Sequence, residues 1–68
     1  MTKIKVYFID YSTNNSFAET KMYLEDLDIL KNSNIINYMG TAYKLKNKTV
    51  YFGIDSTIDY IALNLKKV

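Results

Sequence analysis

Residues 16–31 read SFAETKMYLEDLDILK, and how this stretch folds decides the architecture of the whole chain. Ser16 and Glu19 have the spacing of a capping box: the Ser16 hydroxyl can accept from the Glu19 backbone N–H, and the Glu19 carboxylate can accept from the Ser16 backbone N–H. The residues that follow are good helix formers. Tyr23, Leu27 and Leu30 recur at i, i+4 and i+7, with Leu24 and Phe17 alongside. Lys31 falls in the last turn, where a cation suits the helix dipole, and Asn32-Ser33-Asn34 provides a stop. This reading predicts a helix over 17–31. The competing reading is a strand at KMYLED, where Met22 and Leu24 alternate with polar or aromatic neighbours.

Outward from this stretch, the flanks carry strand patterns. In KIKVYFID (3–10), Ile4, Val6 and Phe8 share one face, while Lys3, Lys5, Tyr7 and Ile9 share the other. YSTNN (11–15) is turn chemistry. IINYMGTAYKL (35–45) reads as a second strand in which Gly40 marks a bulge or bend. Lys46-Asn47 is then a short connection to a third strand, Thr49 to Ile54, forming a hairpin with Lys44, Lys46 and Lys48 around its tip. The tail STIDYIALNLKKV (56–68) fits two patterns. As a helix it places Ile58, Ile61, Ala62 and Leu65 on one face, with Ser56 as N-cap, Asp59 in the first turn and Lys66 and Lys67 at the end. As a strand, Ile61, Leu63 and Leu65 alternate with Tyr60, Ala62 and Asn64. The helix matches more features. The expected fold is an α+β two-layer sandwich, β-α-β-β-α, in one small domain (1–68), with both helices on one face of a mostly antiparallel sheet. The alternative is β-α-β-β-β, a small curled sheet or partly closed barrel.

Val-Tyr-Phe occurs twice, in KVYFIDYST (5–13) and TVYFGIDST (49–57). In the expected fold each copy is a strand feeding a Ser/Thr-containing turn and then a helix. Val6, Phe8, Val50 and Phe52 face the helices, and Tyr7 and Tyr51 point to the opposite, open face of the sheet. Lys5 and a tyrosine of the middle strand, Tyr38 or Tyr43, join them. Seven tyrosines is a high number for 68 residues, and tyrosine gives large contact area at low entropic cost. The candidate partner-binding residues are therefore Tyr7, Tyr51 and Tyr38, with Lys5, Lys44, Lys46 and Lys48 around them.

Composition closes several function classes. There is no Cys and no His, which removes the common nucleophile–base pairs and the thiolate and imidazole metal sites. With two glycines there is no Gly-rich phosphate loop. Asp10 and Asp55 end the two similar strands; neighbouring and parallel, they could share a divalent cation, but Asp after a strand is ordinarily a turn residue. No catalytic residue, metal site or cofactor is expected. Arg, Pro, Gln and Trp are also absent, and the leaning toward Lys, Ile, Asn and Tyr reflects AT-rich codons, as in a low-GC bacterium or its phages. The lack of Cys suits a reducing cytoplasm. No signal peptide or apolar run of membrane-spanning length is read. A net charge of +2 is too small to imply nucleic acid or membrane by itself.

KVYFID (5–10) and KTVYFGID (48–55), aromatic strands with Lys around them, resemble the stacking platform of the RNA-recognition motif, which implies single-stranded nucleic-acid binding. The departures are a missing Gly before the second aromatic pair, the absence of Arg and the lack of a final strand. The expected function is a small non-catalytic protein-binding module that inhibits or modulates a host machine by occluding its surface, as phage or mobile-element proteins do. Single-strand binding is the alternative, and self-association as a homodimer would bury the same tyrosine face.

Overall fold

A computed structural model of the chain describes residues 3–68. It overturns the α+β sandwich. Strands take 64% of the described residues and helix 8%, in one curled, mixed five-stranded half-barrel. The elements are β1 (Lys3–Asp10), β2 (Ser16–Tyr23), α1 (Leu24–Asp28), β3 (Ile35–Tyr38), β4 (Thr41–Phe52) and β5 (Ile58–Lys67). Strand order is β2-β1-β5-β4-β3. A hairpin, β1–β2, and a meander, β3–β4–β5, are both antiparallel, and they are joined by the parallel pairing of β1 with β5. The curled-sheet alternative has the right kind of sheet but the wrong element order.

Three features account for the correction. The stretch 16–31 is not a helix. Its first half pairs with β1, setting Val6 opposite Thr20 and Phe8 opposite Ala18. Ala18, Thr20 and Met22 turn inward in strict alternation, and pairing with an apolar strand outweighs helix propensity. Only Leu24–Asp28 makes a helical turn, which drops Leu27 into the core at 2% exposure. The tail is also a strand. β5 is the central strand, and Ile61, Ala62, Leu63 and Leu65 are buried. Ala62 lies on the outer face, small and flanked by Tyr7 and Thr49, so Ile61–Leu63 reads as a continuous apolar run, which periodicity does not separate from a helix. Finally, the hairpin lies elsewhere. Met39 (φ 52°) and Gly40 (φ 82°) form the two-residue turn between β3 and β4, the backbone signature of a type I′ connection. Lys46 is instead a bulge within the continuous strand β4.

The core lies on the inner face of the curl: Val6, Phe8, Leu45, Ile61, Leu63 and Leu65, capped by Leu27. β2 and β3 do not pair with each other, so the half-barrel has a seam. Aromatic rings bridge it. Phe17 of β2 stacks on Tyr43 of β4 at 5.2 Å, and Tyr38 of β3 meets Phe8 of β1 edge-on at 4.9 Å. Such pairs add to area burial. At the other end of the hollow, the Lys48 ammonium donates to the carbonyls of Leu27 (3.2 Å) and Leu30 (2.7 Å). It thereby ties the helical turn and the residues just after it to β4, adding a charged donor to the Leu27 carbonyl, which also accepts from the Leu30 N–H.

Candidate binding face

The outer face of the sheet is built by alternation from the same strands. On β1 it takes Lys3, Lys5 and Tyr7, and on β2 their partners Tyr23, Lys21 and Glu19. On β5 it takes Tyr60, Ala62, Asn64 and Lys66, and on β4 their partners Tyr51, Thr49, Asn47 and Lys44. Tyr60 is the centre of an aromatic row. Its ring stacks on Tyr51 at 4.5 Å and 17°, and meets Tyr7 edge-on at 5.1 Å and 88°. The strands that carry Tyr7 and Tyr51 are not neighbours; β5 lies between them, and Tyr60 joins the two outer rings into one patch. Tyr7 and Tyr60 are half-buried and Tyr51 is exposed. Lys5 stands over the Tyr7 ring at 6.0 Å and Lys3 over Tyr23 at 5.3 Å, within cation–π range.

Five lysines (3, 5, 21, 44 and 66) share this face with one carboxylate among the paired residues, Glu19, which meets Lys5 at 4.0 Å. Glu25 and Asp26 lie instead in the first turn of α1. The face is therefore a tyrosine row at one end, amides of Asn47 and Asn64 in the middle, and positive charge at the rim.

The structure divides the sequence-derived candidates. Tyr7, Tyr51 and Lys5 come together on the outer face, and Lys44 lies on the same face, farther along β4 beside Lys66. Tyr38 does not join them, because its ring belongs to the seam aromatics on the inner side. Lys48 faces inward as a structural cap. Lys46, at the bulge, lies over the Tyr11 ring at 5.3 Å. The three lysines thus surround no hairpin tip. Tyr60 is the residue that sequence reasoning passed over. Its signal is the strand alternation of 60–65, which places it on one side with Ala62 and Asn64.

Asp10 and Asp55 sit at opposite ends of the parallel β1–β5 pair. Asp10 is level with Leu65, whereas Asp55 precedes β5 in the turn. Each carboxylate works locally. Asp10 Oδ1 accepts from the Ser12 backbone N–H at 2.8 Å. Asp55 Oδ1 accepts from the Thr57 hydroxyl at 2.7 Å and its backbone N–H at 3.2 Å, and the hydroxyl, followed by the N–H, holds the Asp55 carboxyl below the usual aspartate range. Among the described residues, no group of three or more acidic side chains is arranged to hold a metal ion. A shallow depression of about 360 Å³ is lined by Asp10, Ser12, Phe17, Tyr43, Lys66 and Lys67; it has one carboxylate facing two ammonium groups and no nucleophile–base pair. Among the described residues no helix is long and apolar enough to cross a membrane. No protein-family model, curated protein or solved structure matches this chain.

Proposed function

We propose that the chain is a small, non-catalytic binding module that covers an acidic surface of a protein partner with the outer face of its sheet. The observation that supports this reading is the Tyr7–Tyr60–Tyr51 row in a field of lysines. Rings packed against one another are already ordered, so little side-chain entropy is lost on binding. Their exposed edges and hydroxyls provide the mixed apolar and polar contact that makes tyrosine frequent at binding hot spots. The surrounding lysines would steer a negatively charged partner into one orientation. Action by occlusion follows from the lack of reactive groups. A cytoplasmic setting and an origin in a phage or mobile element belong to the same proposal and rest on composition.

Single-stranded nucleic acid is the second reading, favoured by the excess of lysine over carboxylate on this face. The ring geometry favours protein. Tyr51 and Tyr60 turn faces toward each other, where a stacking platform would turn them toward bases.

Affinity capture with tagged protein, with and without nuclease, supplies the partner; the Tyr51→Ala and Tyr60→Ala variants then test the face. On the protein reading each variant weakens the nuclease-resistant complex by about thirtyfold, since truncating an aromatic anchor costs about 2 kcal/mol. Normal binding by folded variants would defeat the reading. A complex lost on digestion, with affinity falling steeply as salt rises, would install the nucleic-acid reading instead.

A further inference from the structure

The repeated triplet provides an internal comparison. In β1, Val6-Tyr7-Phe8 has β2 on one side and β5 on the other, and Val6 and Phe8 are 0% and 6% exposed. In β4, Val50-Tyr51-Phe52 has β5 on one side only, because β3 pairs with residues 41–44 and then stops. Here Val50 is 44% and Phe52 66% exposed, and Ile54 just beyond is fully exposed. The sequence expectation that both copies are covered alike is therefore wrong for the second. An equally apolar strand has been left half-paired.

The other free edges of the sheet are blunted in the usual ways. β2 carries Glu19 and Lys21, has a register shift, and is tied into the seam through Phe17. β3 is four residues long and is held by Tyr38. The start of the β4 edge is covered: the Ser33 N–H donates to the Leu45 carbonyl, the Leu45 N–H donates to the Asn34 carbonyl, and Lys48 is anchored on the Leu27 carbonyl of α1. Thr49–Phe52 has no charge and no proline, and among the described residues no strand pairs with the edge it turns away from β5.

We propose that this edge pairs with the same edge of a second copy of the chain, antiparallel about a two-fold axis, joining two five-stranded sheets into one of ten. The charge order along the chain selects both occupant and direction. Lys44, Lys46 and Lys48 precede the uncharged stretch 49–54, and Asp55 and Asp59 follow it. Antiparallel self-pairing sets the acidic turn of each copy beside the basic start of the other, whereas parallel pairing sets like against like. A register centred on Val50 keeps like faces together and pairs Phe52, the last residue before the Asp55 turn, with Lys48 of the other copy, at its basic start. The contact is isologous and short, below the ~800 Å² per partner of a standard interface, so its Kd is on the order of 10–100 µM. The two-fold axis stands perpendicular to the joined sheet, which puts both tyrosine rows on the same side.

Sedimentation equilibrium from about 5 µM to about 1 mM at low salt tests this. The mass rises from 7.9 kDa toward twice that value, and hydrogen exchange at the 49–52 amides slows with concentration while β2 amides do not change. A Val50→Lys, Phe52→Lys double variant retains the strand circular-dichroism spectrum and associates at least tenfold more weakly. A chain that stays monomeric at the top of the range overturns the proposal. So does a dimer whose 49–52 amides exchange at a concentration-independent rate, or one that survives the double variant but dissolves on Tyr60→Ala, which would place the contact on the tyrosine face. A monomer that instead captures extended peptides of unrelated sequence overturns it as well.

Discussion

Replacing Lys48 by Met separates a structural lysine from a binding one. The Met side chain keeps most of the aliphatic stem and removes the ammonium that donates to the Leu27 and Leu30 carbonyls at 3.2 and 2.7 Å. Hydrogen bonds from a charged donor contribute about 1.5–3 kcal/mol each when sheltered, and less in water. One of these is part-buried and the other exposed. A cation near a helix C-terminus adds a few tenths of a kcal/mol more. The helical turn is five residues long and has no independent stability, so its placement, and that of Leu27 in the core, depends on such ties. The expected loss is about 1.5 kcal/mol. With a urea m-value of about 1 kcal/mol/M for so small a chain, the midpoint falls by about 1.5 M with m unchanged. Lys48→Arg should recover part of the loss, because a guanidinium can still donate. If Lys48→Met unfolds within about 0.3 M of the parent, the two hydrogen bonds contribute nothing net and the capping role is refuted.

Met39→Asn should stabilise the fold by about 0.5–1 kcal/mol, read as a rise of several degrees in Tm. Met39 sits exposed at φ 52°, a conformation Asn adopts more readily, and no change in Tm would count against the type I′ turn. Thr57→Ala removes the main donor to Asp55, so the Asp55 carboxyl, followed by NMR titration, should move up toward the ordinary aspartate range. The sign for stability follows. A carboxyl whose pKa is lowered by folding contributes in full above its unfolded value and loses that contribution as pH falls through the folded one. The variant should therefore be less acid-sensitive at this site, and an unshifted titration would show the hydroxyl contact to be unimportant.

What the sequence made legible was the part in which local pattern and tertiary environment agree. KIKVYFID alternates because β1 buries one face and leaves the other half-covered, and the strand runs over the residues the pattern marks. Tyr7 and Tyr51 turn outward for the same reason. In SFAETKMY the inward residues are Ala18, Thr20 and Met22, too small or too polar to announce a strand, while Leu24, Leu27 and Leu30 continue a helical spacing of their own. In IALNL the small outer-face Ala62 is as buried as its inward neighbours, which masks the alternation that identifies both the strand and Tyr60 beside it. Met39-Gly40 is not the Asn-Gly pair that marks a type I′ turn, so local pattern alone points the hairpin to the lysines. For Tyr38 and Lys48 the pattern does not separate the two faces, because both faces of their strands carry polar or aromatic residues. Only the bulge at Lys46 and the seam across to Phe17 decide which way they point.

The parallel pairing of the first and last strands has a kinetic consequence. Val6 and Ile61 lie side by side yet are 55 positions apart in the chain. The β1–β2 hairpin and the β3–β4–β5 meander can each form from local contacts, but neither has a covered inner face until β1 meets β5. Closing that long loop costs about 2 kcal/mol more entropy than closing a five-residue hairpin, and it precedes nearly all the burial that rewards it. Folding speed is then governed by one encounter between two preformed halves, whose apolar strands stay open to other chains until it occurs. A break in the connection between Asp28 and Ile35 would turn that encounter into a bimolecular one, and the concentration of the halves, not the strength of the core, would determine whether the sheet assembles.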